Sequence, residues 1–310
     1  MQRLSGLDAQ RGIAAIIVAL AHALLIDGQH VRFAGYLSVD YFFLLSGFVL
    51  AAAFEPRFDE IGITQFYVLR FKRFWPLIML GSALGAGFEY ALGGSAWIVG
   101  LELAFAAALI PYRNGLFELN RPGWSIFFEL LLNVFHVALF RHLRVRWLLA
   151  LSAAGAMCMI AFAPSMDTGQ GRLFELGVPR AVMGYCLGIA LFRLRGARPL
   201  GPAWLGLAGV PLIVVLGTLL PERLEILALL PAPLVLLAGV GLRGRVFEWL
   251  GALSFPLYAI HYPVMKILNL LGLGWGFTLA GSLVATFAVM QLAQVGPKLG
   301  ALSARASVRA

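Results

Sequence analysis

Ten apolar stretches of 16 to 23 residues follow one another along the chain, near residues 11–26, 37–54, 74–92, 124–140, 147–163, 175–193, 203–220, 224–241, 250–270 and 274–296. A helix rises 1.5 Å per residue, so about 20 apolar residues cross a hydrocarbon layer roughly 30 Å thick. The series predicts an all-α, polytopic membrane bundle. Hydrophobic residues make up 61% of the 310 and charged residues 13%, where soluble domains carry about 25% charged. No polar stretch is long enough for a separate soluble domain. The chain therefore reads as one membrane-embedded domain over 1–310, with a helical bundle over 1–297 and a basic tail over 298–310 (Lys298, Arg305, Arg309). The small-x-small triplet Ala21-His22-Ala23 gives the first stretch the outline of a secretory signal. A His in the run and the membrane-embedded chain downstream predict that it is retained.

The formal net charge of +9 gathers in short connections between apolar stretches. That pattern fits membrane topology and anionic lipid, and no nucleic-acid partner is expected. Cys158 and Cys186 both lie in apolar segments and read as small buried hydrophobes. Residues 96–110 are apolar but short and contain Glu102. The basic connections are 55–73 (Arg57, Arg70, Lys72, Arg73), 141–146 (Arg141, Arg144, Arg146), 193–198 (Arg193, Arg195, Arg198) and 243–245 (Arg243, Arg245). If 96–110 crossed, the first would face opposite to the other three. A short or re-entrant helix there puts all four on one side, so we expect about ten spans with both termini cytoplasmic. Residues 93–123 then form the largest outward excursion. The Arg-rich, Lys-poor, Ala- and Gly-rich composition points to a bacterial inner membrane.

Ionisable residues inside a bilayer are costly and mark sites or pathways. Arg11 and His22 lie eleven positions apart, about 16.5 Å and about 20° off a whole number of turns, so they share one helix face. Snorkelling and core hydrogen bonding would also account for them. Asp40 opens the second stretch on the outer side. Ser125, Glu129, Asn133 and His136 draw one polar stripe along the fourth, which must face other helices or a water-filled cavity. Ser254, Tyr258 and His261 share a face of the ninth, which also carries Pro256 and Pro263. Arg70 and Arg73 lie one turn apart before the third, where they suit a phosphate clamp or ordinary positive-inside topology. Gly184 and Gly188 form a small-xxx-small contact. There is no Walker loop, dinucleotide fingerprint, nucleophile elbow or Cys/His metal spacing, and no metal is expected.

Five blocks resemble motifs of the acyltransferase-3 family of integral membrane acyltransferases. Leu7-Asp8-Ala9-Gln10-Arg11-Gly12 followed by His22 resembles its Arg-x10-His pattern. Ser38-Val39-Asp40-Tyr41-Phe42-Phe43-Leu44-Leu45-Ser46-Gly47-Phe48 is similar to its Gly-Val-Asp-x-Phe-Phe-x-x-Ser-Gly-Phe block, with Ser38 where Gly is usual. Arg70-Phe71-Lys72-Arg73 resembles its Arg-x-x-Arg helix start. Trp124-Ser125-Ile126-Phe127-Phe128-Glu129 resembles its Trp-Ser-Leu-x-x-Glu block, with Leu130 where many relatives carry a second polar residue. Gly251-Ala252-Leu253-Ser254-Phe255-Pro256-Leu257-Tyr258-Ala259-Ile260-His261 is similar to its late Gly-x-x-Ser-x-x-x-Tyr-x-x-His block.

The resemblance implies transfer of an acyl group, usually acetyl, from a cytoplasmic acyl-CoA to a hydroxyl of an extracytoplasmic or membrane-linked acceptor. In the family that acceptor is mostly a cell-surface carbohydrate, which would mean polysaccharide modification in the cell envelope. Acetyl-CoA is the expected donor, and a glycan or lipid-linked acceptor and membrane lipid the expected partners. His22 is the candidate base, with Asp40 or Glu129 fixing its tautomer and Arg11 serving the donor channel or an ion pair. Arg70 and Arg73 would hold CoA phosphates. Ser46, Trp124, Ser125, Asn133, Tyr258 and His261 are expected to line the cavity, with Ser46 and Ser125 as hydrogen-bond donors open to transient acylation. The alternative from another class is a transporter of a lipid-linked sugar or small solute, which would show symmetric halves; no internal repeat is evident.

Overall fold

The computed structural model describes residues 4–113 and 117–307, with side chains described up to residue 293. Eleven α-helices follow in order: α1 (Ser5–Ile26), α2 (Leu37–Phe54), α3 (Ile63–Ala91), α4 (Ala96–Ala107), α5 (Gly123–Leu139), α6 (Val145–Phe162), α7 (Gly177–Arg195), α8 (Ala203–Leu219), α9 (Ala232–Val240), α10 (Arg245–Leu270) and α11 (Trp275–Ser307). Three 3-10 segments, Glu55–Arg57, Gly171–Leu176 and Glu222–Leu229, join or extend them. Ten helices correspond in position to the ten apolar stretches. Among the described residues, six helical segments are long and apolar enough to cross a bilayer on composition alone. The 17-residue α5 and α8 are shorter, and α3 and α10 carry charged residues along their length. α4 has 12 residues, about 18 Å of helix, and lies along α3, where Trp75 Nε1 donates to Ala107 O at 2.9 Å.

Two boundaries differ from the sequence reading. α3 begins at Ile63, so Arg70 and Arg73 lie inside the helix rather than in a connection before it. Gly62 is extended, and no breaker follows until Pro76. The stretch 224–241 is two pieces, a 3-10 segment and the nine-residue α9, because Pro231 and Pro233 lack the N–H groups that would carry one helix through. The basic tail is in part helical, since the α11 backbone runs to Ser307; the side chains of Lys298 and Arg305, and all of Arg309, lie outside the described residues.

The bundle is organised by two long contacts, α1 along α10 and α2 along α7. Both depend on missing side chains. A Cβ at Gly188 of α7 would lie 2.1 Å from Leu44 O of α2, and one at Gly47 of α2 would lie 2.1 Å from Tyr185 O of α7. Gly184 faces the same seam, beside Asp40 O. On α1, a Cβ at Gly12 would lie 2.6 Å from Leu250 O of α10. Such backbone approach is how helices associate where water supplies no driving force between them. Outward positions are apolar, with Trp97, Phe162, Leu219 and Phe277 each more than 70% exposed. Such a surface suits lipid and would be a liability in water.

Contacts at the helix ends fix a polarity. The start of α1 meets the end of α9 through Gly6 N and Leu242 O at 3.2 Å, and the end of α7 meets the ends of α2 and α5 through Arg193. The four basic connections therefore gather at the end of the bundle where α1 begins.

Replacing Gly188 by Val should drive α7 from α2 and lower the unfolding midpoint of the detergent-solubilised protein, at a cost of about 1–3 kcal/mol or more. An unchanged midpoint would show that this crossing does not hold the bundle together.

Candidate functional site

α1 and α10 run side by side, so residues on their facing stripes pair in order. Arg11 Nε donates to Ser254 Oγ at 3.0 Å, and its Nη2 donates to Asp8 at 2.6 Å. Eleven residues further on, His22 meets His261, with Nδ1 of the first 3.1 Å from Nε2 of the second. Arg11 and His22 thus share the α10-facing side, as their spacing predicts. Between these contacts, Tyr258 reaches α5, where its hydroxyl lies 2.6 Å from Ser125 Oγ. Ser125 gives its own proton to Pro122 O at 3.1 Å, so the Tyr258 hydroxyl is the donor to Ser125.

These helices, with α2 and α3, enclose a cavity of about 470 Å³. At the basic end it is lined by Asp8, Arg11, Arg73 and Phe54, and at the other end by Val39, Phe43, Ser125 and Tyr258. The walls are largely apolar, and Ser46, Arg70 and Glu129 form a polar patch between the ends. Arg70 is buried at 6% exposure and donates from Nη2 to Glu129 Oε1 at 2.8 Å, while Ser46 Oγ donates to the same oxygen at 2.7 Å. Arg73 is exposed at the mouth and has no ion pair among the described residues.

The α5 stripe turns inward along its whole length. With the Asn133 amide oxygen facing Arg70, it accepts from Nε at 3.0 Å, and the amide nitrogen donates to the Tyr185 hydroxyl at 2.9 Å. Tyr185 lies 3.2 Å from His136 Nδ1, and His136 Nε2 is 2.8 Å from Glu55. Arg193 closes the chain by gripping both Glu55 oxygens. A chain of hydrogen bonds therefore backs Arg70 from the cavity to the basic end.

Three expected placements change. Asp40 does not orient His22: both of its oxygens accept from Arg180 of α7, at 2.9 and 2.8 Å, with each partner buried. Arg180 also donates to Thr168 O and Tyr36 O, and its guanidinium lies 5.2 Å above the Trp124 ring. Glu129 meets Arg70 and Ser46 rather than His22. Trp124, Asn133 and His261 stand behind the cavity wall, each touching a lining residue: Phe43, Arg70 and Tyr258 respectively. His22 and Asp40 likewise lie outside the lining.

Sequence reading did not single out Arg180, Tyr185, Glu55 or Arg193. Arg180 was visible by the rule that flagged Arg11, an ionisable group in an apolar run. The tyrosine carried no such signal. Glu225 was also missed; it is buried in a 3-10 segment and accepts from Arg32 at 2.8 Å and from the Tyr36 hydroxyl at 2.5 Å. Burial and the Glu225 carboxylate push the Tyr36 phenol above its ordinary range, so it stays a donor.

Chemically, the site offers a cationic mouth, an apolar shaft and hydroxyl donors at its inner end. A pair of imidazoles stands one layer beyond. Among the described residues there is no group of His, Cys, Asp and Glu that would hold a metal.

Residues 4–294 match a family described as an acyltransferase domain. The chain is similar to an acyltransferase, MdmB, of Streptomyces mycarofaciens, 29% identical over 312 aligned positions covering 85% of this chain and 79% of that protein. It is also similar to protein 2 of the picA locus of Rhizobium radiobacter, 38% identical over 148 residues, 41% of this chain and 77% of that one. A shorter match, 30% over 83 residues, covers 26% of this chain and 13% of a Staphylococcus aureus protein named provisionally as an O-acetyltransferase. No solved structure matches it significantly.

Removing one partner of the Asp40–Arg180 pair leaves a buried charge unmatched, which costs about 3–5 kcal/mol. Asp40→Ala should therefore lower thermal stability sharply, and the double variant Asp40→Leu with Arg180→Met should recover most of it. Full stability of Asp40→Ala would show that the pair does not hold α2 to α7.

Proposed function

The chain belongs to the acyltransferase-3 family, and from that membership we propose that this multi-pass membrane protein moves an acyl group, acetyl first among them, from acyl-CoA to a hydroxyl of an extracytoplasmic or membrane-linked acceptor, a cell-surface carbohydrate in the first instance. The observation that carries the reading is the shape and chemistry of the cavity. Its mouth has Arg11 and the exposed Arg73 at the end where the basic connections gather. Basic connections mark the cytoplasmic side, so both termini are assigned to the cytoplasm, in a bacterial inner membrane.

In this reading Arg73 meets the CoA phosphates, while Arg11, paired with Asp8, lines the donor channel beside it. The apolar shaft takes the pantetheine arm, and the thioester stops at Ser125 and Tyr258. Arg70 is committed to Glu129, so it shapes the shaft. Tyr258 stands nearest to where an oxyanion would form, and its hydroxyl would turn from Ser125 to donate there. The acceptor hydroxyl comes from the opposite side, and His22 takes its proton.

The tautomer needed for that step follows from two backbone contacts. A carbonyl oxygen only accepts. His261 Nδ1 lies 2.9 Å from Leu257 O and His22 Nδ1 lies 3.1 Å from Val18 O, so each Nδ1 carries the proton. The neutral His22 ring then presents an unprotonated Nε2, the atom a general base requires.

The test is release of free CoA thiol from acetyl-CoA by purified protein in nanodiscs, with and without a panel of glycan acceptors. His22→Ala should reduce acceptor-dependent release by about 100-fold or more, with donor binding intact; full turnover in that variant would remove His22 as the base. Arg73→Ala should raise the KM for acetyl-CoA by about tenfold with little change in kcat, as loss of one charge-assisted contact of about 1.4 kcal/mol predicts. An unchanged KM would exclude Arg73 as a donor ligand.

A further inference from the structure

Among the described residues, no carboxylate touches either His22 or His261. A general base in acyl transfer becomes an imidazolium, and that cation needs a partner on its second nitrogen. The acids that might serve are occupied elsewhere: Asp40 by Arg180 and Glu129 by Arg70. His22 Nδ1 has two acceptors in reach, the Val18 carbonyl oxygen and the Nε2 of His261, each at 3.1 Å, and of these only His261, its ring centroid 5.1 Å away, can take the proton up. The remaining neighbours are the Tyr262 ring, edge-on at 5.3 Å, and Arg121 above Tyr262 at 5.9 Å. Neither accepts a proton from Nδ1. His261 is itself buried and anchored by Leu257 O, so its Nε2 is a lone pair held in place and aimed at the first ring.

We propose that His261 is the positioning and proton-sharing partner of His22, an imidazole in the role usually given to a carboxylate. The inference rests on the reading of His22 as the base. The acceptor O–H bond breaks and its proton goes to His22 Nε2. The acceptor oxygen attacks the thioester carbonyl, and the C–S bond breaks to leave the CoA thiolate. As positive charge grows on His22, its Nδ1 proton moves toward His261 Nε2, and the charge spreads over two rings. The proton then returns to His22 Nδ1, and Nε2 gives its own proton to the thiolate. One ester and one thiol replace one alcohol and one thioester, with no net proton gained or lost. A neutral partner suits this site because a carboxylate here, without a cation beside it, would be a buried unpaired charge.

The test is a proton inventory of the single-turnover rate in mixtures of H2O and D2O, on wild type and His261→Gln. Glutamine can accept the Nδ1 hydrogen bond but cannot take the proton. Wild type should give a curved inventory, as two protons in motion require. His261→Gln should give a linear one, with the rate down by about tenfold or more and KM for the donor unchanged. A linear wild-type inventory, or a wild-type rate in His261→Gln, would overturn the proposal. Histidine 15N spectra of the wild-type protein provide a check that needs no variant: both rings should be Nδ1–H tautomers, and an Nε2–H tautomer at His22 would also overturn it. If His22→Ala retains full transfer, the reading of the site fails instead; if His22 is essential and His261→Gln is silent, only this inference fails.

Discussion

A charge inside an apolar bundle must be matched or wetted, because the alternative is a penalty of several kcal/mol for each ion. The ion pairs of this protein obey that constraint, and in doing so they tie the helices together. Asp40 and Arg180 link α2 to α7, and Arg180 extends the link to the chain at Thr168. Glu129 and Arg70 link α5 to α3. Glu55 is held between Arg193 of α7 and His136 of α5. Glu225 gathers Arg32, Tyr36 and the backbone N–H of Met166. The glycine seams let the helices approach, and these pairs set which residues face one another.

The same constraint separates side chains engaged by the protein from those left facing the cavity. Arg180 has every guanidinium nitrogen engaged by protein, so it has little left to offer a ligand. Among the described residues, Arg73 at the cavity mouth has no ion pair and lies against the face of Phe74. Tyr258 sits where the shaft ends and points its hydroxyl to Ser125, while the neighbouring turn of α10 holds His261 against His22. One helix therefore supplies both the end wall of the cavity and the residue that meets His22. That economy follows from the i, i+4, i+7 spacing of Ser254, Tyr258 and His261 on a single face.

Much of this was legible in the sequence. Apolar length gave the all-α bundle, and the spacing of Arg11 with His22 and of the α5 stripe gave the faces that meet. The short α4 followed from the charge argument on its flanking loops. What was not legible depends on partners far apart in sequence. Nothing local says that Asp40 is claimed by a residue 140 positions later, or that His22 is backed by a residue 239 positions later rather than by a carboxylate. The start of α3 was misjudged because Arg70, Lys72 and Arg73 lower the apolarity that marks a span while leaving the helix itself unbroken. The break in 224–241 was masked the other way, since an apolar stretch with two prolines still looks like one span.

The most direct test of the central claim is a structure of the protein in nanodiscs with a non-hydrolysable acetyl-CoA analogue. The account predicts density through the cavity between α1, α2, α3, α5 and α10, with the phosphates at Arg73 and the thioester position beside Ser125 and Tyr258. A ligand bound elsewhere, with this cavity filled by lipid or by nothing, would contradict it.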